Sequence, residues 1–249
     1  MKFITNIPHF ETETGDKLLF PFSPPIFQTE IDSNFTKELI EEGRKLTKEE
    51  DDYNHKLAGN LKYGRSYHYK EDYLLKVEPY LKTYVERFFN GLYQQYGSDA
   101  IFVKKLLEVQ HNVKETKQGN LRLESLWINF SQKHDFNPPH THTGILSFVI
   151  FCKVPEEIFK VQADSNTQRA GELHFSYGEQ ITKLMGCEYP VKPYENLMLI
   201  FPAELQHLSR ISKYPGSSFM LPYSPSIASK TSPIPHSPIW TGNLRMFSA

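Results

Sequence analysis

Residues 145–154 read ILSFVIFCKV. With a period of two, Phe148 and Ile150 fall on one face and Val149 and Phe151 on the other, and both faces are apolar. Such a strand must be covered twice, so it is expected inside a sandwich with a helix layer or a second sheet on each side. Three further stretches have strand character and turn residues around them: 121–131 (LRLESLWINFS), 172–177 (ELHFSY) and 197–201 (LMLIF). In the first, Leu126, Ile128 and Phe130 share one face, and Ser125, Trp127 and Asn129 share the other. Upstream the period lengthens. Val77, Leu81, Tyr84, Val85, Phe88 and Leu92 recur at helical spacing, and Pro79 predicts that the regular helix begins near it. A second, exposed helix is expected over 35–50, with Ser33 or Asn34 as its cap. The stretch FPFSPPIF (20–27) suits an extended edge segment and not a central strand. Helices first and strands after predict an α+β protein, a jelly-roll barrel with N-terminal helices packed on its sheet.

A chain of 249 residues is long enough for a large core, and one domain is expected. Within it, residues 1–100 would hold the extended segment and helices, 101–211 the jelly-roll core, and 212–249 an irregular tail. Ten serines and six prolines lie from Ser209 onward, which is the composition behind the last of these. The formal net charge of −1 carries no signature of nucleic-acid or anionic-membrane binding, so a small-molecule or peptidyl substrate is expected. Cys152 and Cys187 are too few for a disulfide framework or a four-thiolate zinc site. MKFITNIPHF lacks a signal-peptide apolar run, and Ile145–Cys152 is too short to span a bilayer, so a cytoplasmic protein is expected. Nothing in the sequence speaks to oligomeric state.

The segment HDFNPPHTHTG (134–144) carries the chemistry. Pro138 and Pro139 hold the chain extended, and residues two apart in an extended chain point the same way, so His140 and His142 present both imidazoles to one side. Neutral imidazole suits iron, zinc, copper or nickel. Two ligands are too few for a tight site, and His207, just after strand 197–201, is the best third, because a jelly roll brings distant strands together at the barrel mouth. His174 alternates within a strand and suits a hydrogen-bonded structural role; the remaining histidines lack a partner at ligand spacing.

The blocks LWINF (126–130), FNPPHTHTG (136–144), LSFVIFCKVP (146–155), GELHFSYG (171–178) and LIFPAELQH (199–207) resemble, in this order, the iron(II)/2-oxoglutarate oxygenases of a phage-associated branch. The resemblance implies a double-stranded β-helix that binds Fe(II), consumes O2 and 2-oxoglutarate, and hydroxylates or otherwise oxidises a second substrate. It implies His140 and His207 as metal ligands, with His142 where many relatives carry an aspartate. Three neutral ligands leave the site one positive charge higher than the two-His, one-carboxylate arrangement, which favours an anionic co-ligand. Asp135 and Glu172 are carboxylates in reserve. For the far carboxylate of 2-oxoglutarate the resemblance implies a basic residue after the distal histidine. Arg210 in the Arg210-Ile211-Ser212 element is the candidate, with Lys213 beside it; alternatively, unrelated chain replaces the last strand. Asn129 and Ser147 either line the barrel towards the co-substrate or make structural bonds. Trp127 and the loop 156–170 would shape the substrate mouth. Two other readings stay open: a cupin-like metal enzyme working without 2-oxoglutarate, and an inactive jelly-roll binding module.

Overall fold

The structure, a computed structural model, describes residues 9–21, 24–58, 61, 64–97, 120–131, 135, 137–155, 171–179, 187–209 and 239–247; residues 120, 121 and 239–247 are described by their backbone alone. The strands are β1 (His9–Glu11), β2 (Lys17–Leu19), β3 (Ile26–Glu30), β4 (Arg65–His68), β5 (Asn120–Phe130), β6 (Asn137–His140), β7 (Leu146–Phe151), β8 (Leu173–Ser176), β9 (Glu188–Val191), β10 (Leu197–Pro202), β11 (Gln206–Ser209) and β12 (Ile239–Phe247). They form two sheets, an eight-stranded one in the order β1-β2-β3-β10-β7-β12-β5-β4 and a four-stranded one in the order β6-β11-β8-β9. Neighbouring strands are antiparallel throughout. With the helices packed on the larger sheet, this is a jelly-roll arrangement of the α+β class.

Strand β7 lies between β10 and β12, fully buried, as its two apolar faces require. Register opposes Phe148 to Ile200 and Ile150 to Met198, and all four join the core beneath the helices. Val149 and Phe151, opposite Leu199 and Leu197, join a second core between the sheets with Leu173, Phe175 and Phe201. Each fully buried side chain of this size contributes about 1.5–3 kcal/mol through area removed from water, so this strand ties the two layers together.

Helix α1 (Ser33–Lys45) and the 26-residue α3 (Glu71–Tyr96) cover the outer face of the larger sheet, and the short α2 (Lys48–Asp51) lies between them in sequence. Asp32, not Ser33 or Asn34, caps α1: its side chain accepts the Asn34 N–H at 2.6 Å, and the helix stops at Lys45. Pro79 lies inside α3 rather than at its start. Interior proline costs roughly 3 kcal/mol, but Pro79 is on the exposed side, while Leu74, Val77 and Leu81 continue one buried stripe across it. Burial of that stripe holds the two turns that precede the proline. Where α1 crosses β5, Gly43 lets them meet, since a Cβ there would come within 2.7 Å of Ile128.

Two segment boundaries shift. Strands β1 to β4 precede residue 101 yet sit in the same sheet as β7, and β3, beginning just after Pro25, is an inner strand between β2 and β10 rather than an edge segment. The expected irregular tail 212–249 contains β12, a nine-residue strand in the middle of the larger sheet between β7 and β5. The run IWTGNLRMF is long enough for a strand, but the Ser/Pro-rich chain before it hides it in any compositional reading. The last strand is thus present, with a register shift between Asn243 and Leu244. No helix among the described residues is long and apolar enough to cross a membrane.

Candidate metal centre

Strand β6 is only NPPH. Prolines cannot complete a ladder, and β6 is accordingly an edge strand, paired on one side with β11. That pairing sets His140 directly opposite His207, so two residues 67 positions apart in sequence share one face of the small sheet. His142 follows in the connection to β7. Its backbone N–H donates to the Ala203 carbonyl at 2.8 Å, and the Ala203 N–H donates to the Ile145 carbonyl at 3.0 Å, so the loop is fastened to the turn between β10 and β11. Ring centroids lie 4.8 Å apart for His140 and His142, 4.3 Å for His140 and His207, and 5.0 Å for His142 and His207.

The tautomers follow from the partners. His207 Nδ1 lies 3.0 Å from the Leu205 carbonyl and His140 Nδ1 lies 2.8 Å from the Pro138 carbonyl. A carbonyl oxygen only accepts, so each Nδ1 carries the proton and donates, leaving the Nε2 lone pair for something else. On His207 that Nε2 is buried and has no hydrogen-bond partner. One ligand nitrogen from each histidine lies within 4.8 Å of the other two; bonds of about 2.0–2.1 Å to a shared metal would bring them to about 3.0–3.4 Å, so the rings would close inward on an ion.

Burial keeps the imidazoles uncharged. Desolvation lowers the pKa of His140; desolvation followed by the nearby His140 lowers that of His142 to about 4; and desolvation, then His140 and His142, hold His207 well below the ordinary histidine value. The apolar floor is made by Phe201, 4.9 Å from the His207 ring, and by Phe175 at 6.1 Å. Three neutral imidazoles with at least one orphaned lone pair fit a divalent transition metal, and the fit rests on His207 Nε2. Among the described residues no carboxylate joins the group. Glu172 instead lies 3.2 Å from His174 Nε2.

Asn129 and Ser147 are buried on strand faces turned towards the small sheet. The Asn129 carboxamide oxygen accepts from Ser66 Oγ at 2.7 Å, a structural bond. Neither residue lines the cavity beside the triad. Arg210, Lys213 and the loop 156–170 lie outside the described residues. Trp127 stands beside the triad, with its ring 5.7 Å from that of His142.

The N-terminal half supplies residues that strand patterns did not bring out. A cavity of about 150 Å³ beside His140 and His142 is lined also by Tyr53, Lys56, Leu57, Ala58, Trp127 and Asn137. Tyr53 stacks on Trp127 at 5.1 Å. Tyr53 and Lys56 also line a cleft of about 920 Å³ that extends over Lys70, Arg122 and Thr143. None of the three histidines lines the larger space, two of them line the smaller one, and the 53–58 segment borders both. Asn137 stands three residues before His140, and its Nδ2 lies 3.2 Å from His140 Nε2. Its short amide in the already conspicuous NPPH motif was the available signal; Tyr53 and Lys56 had none.

A family model described as a putative 2OG-Fe(II) oxygenase matches residues 125–215, a stretch that contains all three histidines. None of the curated proteins matches the chain. Among solved structures, a Pseudomonas putida prolyl-4-hydroxylase is similar at 10% identity, covering 90% of this chain and 94% of its own, with a TM-score of 0.44. A viral collagen prolyl hydroxylase from Paramecium bursaria Chlorella virus-1, solved as a 2OG complex, has 8% identity, coverage of 88% and 94%, and a TM-score of 0.42. HygX from Streptomyces hygroscopicus, solved with nickel, 2-oxoglutarate and hygromycin B bound, has 9% identity, coverage of 88% and 81%, and a TM-score of 0.40. The family match and the triad together make the chain a dioxygenase that uses Fe(II) and 2-oxoglutarate.

Proposed function

We propose that His140, His142 and His207 hold the iron, and that the protein oxidises a small-molecule or peptidyl substrate admitted through the cleft bordered by Tyr53 and Lys56. The observation that carries this is the buried, unpartnered Nε2 of His207, opposite His140 in register and within ligand reach of His142. When bound, iron and 2-oxoglutarate supply the oxidising chemistry. The chain's own part is to bind, orient and exclude water. The carbonyls of Leu205 and Pro138 fix the His207 and His140 rings through their Nδ1 protons. Phe175 and Phe201 keep the floor dry. Three neutral ligands leave the full charge of a divalent ion at the site, which favours an anionic co-substrate.

A double-stranded β-helix is the finer fold we read here. It is supported by four large-sheet strands in the order β10-β7-β12-β5 facing β6-β11-β8-β9. Asn129 and Ser147 are retained as barrel residues on the co-substrate side, supported by their burial on the inner face, and Arg210 as the basic residue after the distal histidine. Membership of the phage-associated branch, supported by the five sequence blocks, belongs to the same reading, as does action in the cytoplasm.

The test is anaerobic titration of the full chain with Fe(II), then 2-oxoglutarate, followed by exposure to O2. Succinate release that requires both Fe(II) and 2-oxoglutarate is expected. Metal binding without any 2-oxoglutarate binding would instead favour the cupin-like reading, and binding of neither would favour the inactive module.

A further inference from the structure

Strand β5 has two edges, and they are used unequally. On one, β12 pairs with it from Asn120 to Asn129. On the other, β4 pairs only from Phe130 to Trp127, and the Tyr69 N–H adds a last tie to the Leu126 carbonyl at 2.9 Å before the chain turns into α3 at Glu71. Among the described residues no strand continues that row past Leu126. The cleft of about 920 Å³ lies at this end of the row, lined by Arg122, Leu123, Glu124 and Ser125 in succession. Leu123 is buried beneath the helices while Arg122 is exposed. Side chains along a strand point to alternate faces, so a space that meets four consecutive residues runs along the strand's edge and not over one face. Its other walls are the 50–56 segment and the first turns of α3, where Leu75 is 55% exposed.

A strand edge offers backbone donors and acceptors in a row, and the match for a row is another extended backbone. Four residues of edge span about 13 Å, more than a single small molecule satisfies. The charge of the walls narrows the partner further. Glu50 and Lys70 offset each other in an ion pair at 3.0 Å. The rest of the charged lining is Asp51, Asp52, Glu71 and Glu124 against Lys56 and Arg122, an acidic excess that favours a basic partner. The cleft also adjoins the histidines. Thr143, next to His142 in the chain, lines it, and Tyr53 and Lys56 are shared between it and the cavity beside His140 and His142.

We propose that the edge of β5 from Arg122 to Ser125 docks an extended peptide segment carrying basic side chains, which adds a strand in the row of β4 and presents a neighbouring residue to the histidines. The inference rests on the functional reading above and narrows its substrate to a peptide held by its backbone. Binding at β5 involves no covalent step.

The experiment measures binding of fluorescein-labelled (Lys-Val)5 to the full, metal-free chain by anisotropy, with (Glu-Val)5 as the acidic counterpart. Two further peptides carry N-methyl groups on every valine or on every lysine, so that each loses the backbone donors of one edge. Hydrogen–deuterium exchange locates the site. Expected are slower exchange over residues 120–126 when (Lys-Val)5 is added, binding at least about tenfold weaker for one or both N-methylated peptides, and binding at least about tenfold weaker for (Glu-Val)5. The exposed Glu71 and Arg122 give opposite signs: Glu71→Lys should weaken (Lys-Val)5 about fivefold and Arg122→Glu should strengthen it. No binding, equal binding of all four peptides, or binding that leaves exchange over 120–126 unchanged overturns the proposal. So does protection there that grows with protein concentration without peptide, which would put a second copy of the chain on the edge. The wild-type protein with the peptide series decides the matter even if a variant misfolds. Because no metal is present, the functional reading fails separately: a chain that docks the peptide but releases no succinate with Fe(II), 2-oxoglutarate and O2 defeats that reading and leaves the docking edge in place.

Discussion

Two buried histidines sit on neighbouring strands of the small sheet and have opposite surroundings. His207 on β11 faces His140, His142 and the rings of Phe175 and Phe201, and no carboxylate joins that group among the described residues. His174 on β8, one register position along, is 0% exposed and stands between Glu172 at 3.2 Å and Glu188 at 3.7 Å. Burial alone therefore says little about a histidine. Neither His174 nitrogen forms a hydrogen bond, but each has a carboxylate at ion-pair distance, whereas His207 Nε2 has imidazoles beside it and no hydrogen-bond partner. Period two separates them: Leu208, not His207, opposes His174, so the two rings belong to opposite faces of the sheet.

The largest effect that sharpens this contrast is expected for His207→Ala. Loss of the buried ligand should weaken Mn(II) or Fe(II) binding by at least about 100-fold, read by calorimetry, and retained affinity would break the comparison. Next comes His174→Ala, which strands the Glu172 carboxylate and should cost about 1–3 kcal/mol of stability, measured by urea unfolding, while metal affinity stays within about twofold of wild type. His142→Asp converts the site to two histidines and a carboxylate. Metal should still bind, but with the site's charge reduced by one, 2-oxoglutarate is expected to bind about tenfold more weakly, about 1.4 kcal/mol.

The smallest effect is in pH. In the folded, metal-free protein His142 resists protonation down to about pH 4, whereas in the unfolded chain it takes a proton near its ordinary 6.5. Between those values the unfolded state binds more protons, so stability rises with pH. The melting temperature of the metal-free protein should fall as pH drops from 7 to 5. His142→Asn should flatten that slope, and His207 should extend the residual loss to lower pH.

The site was partly legible because the histidines proposed as its ligands obey local rules. His140 and His142 stand out through prolines and period two, and His207 through its place after an apolar strand. What did not stand out has physical causes. β12 follows a Ser/Pro-rich stretch whose composition swamps nine strand residues. Pro79 signals a helix start wherever its neighbours are unburied, and here Leu74 and Val77 are buried. Tyr53 and Lys56 belong to no periodic element, being part of a turn whose 3₁₀ segment spans Asn54–Lys56, so only packing reveals that they border the cavity.

By itself the sequence determined the doubly apolar β7, the long helix stripe and the identity of the three histidines, because side-chain period and residue chemistry are local properties. Only the tertiary structure decided that His140 opposes His207, that the chain's last described strand enters the middle of the sheet, and that Trp127 lacks an acceptor. Each of these depends on the register between strands far apart in sequence, which no local pattern encodes.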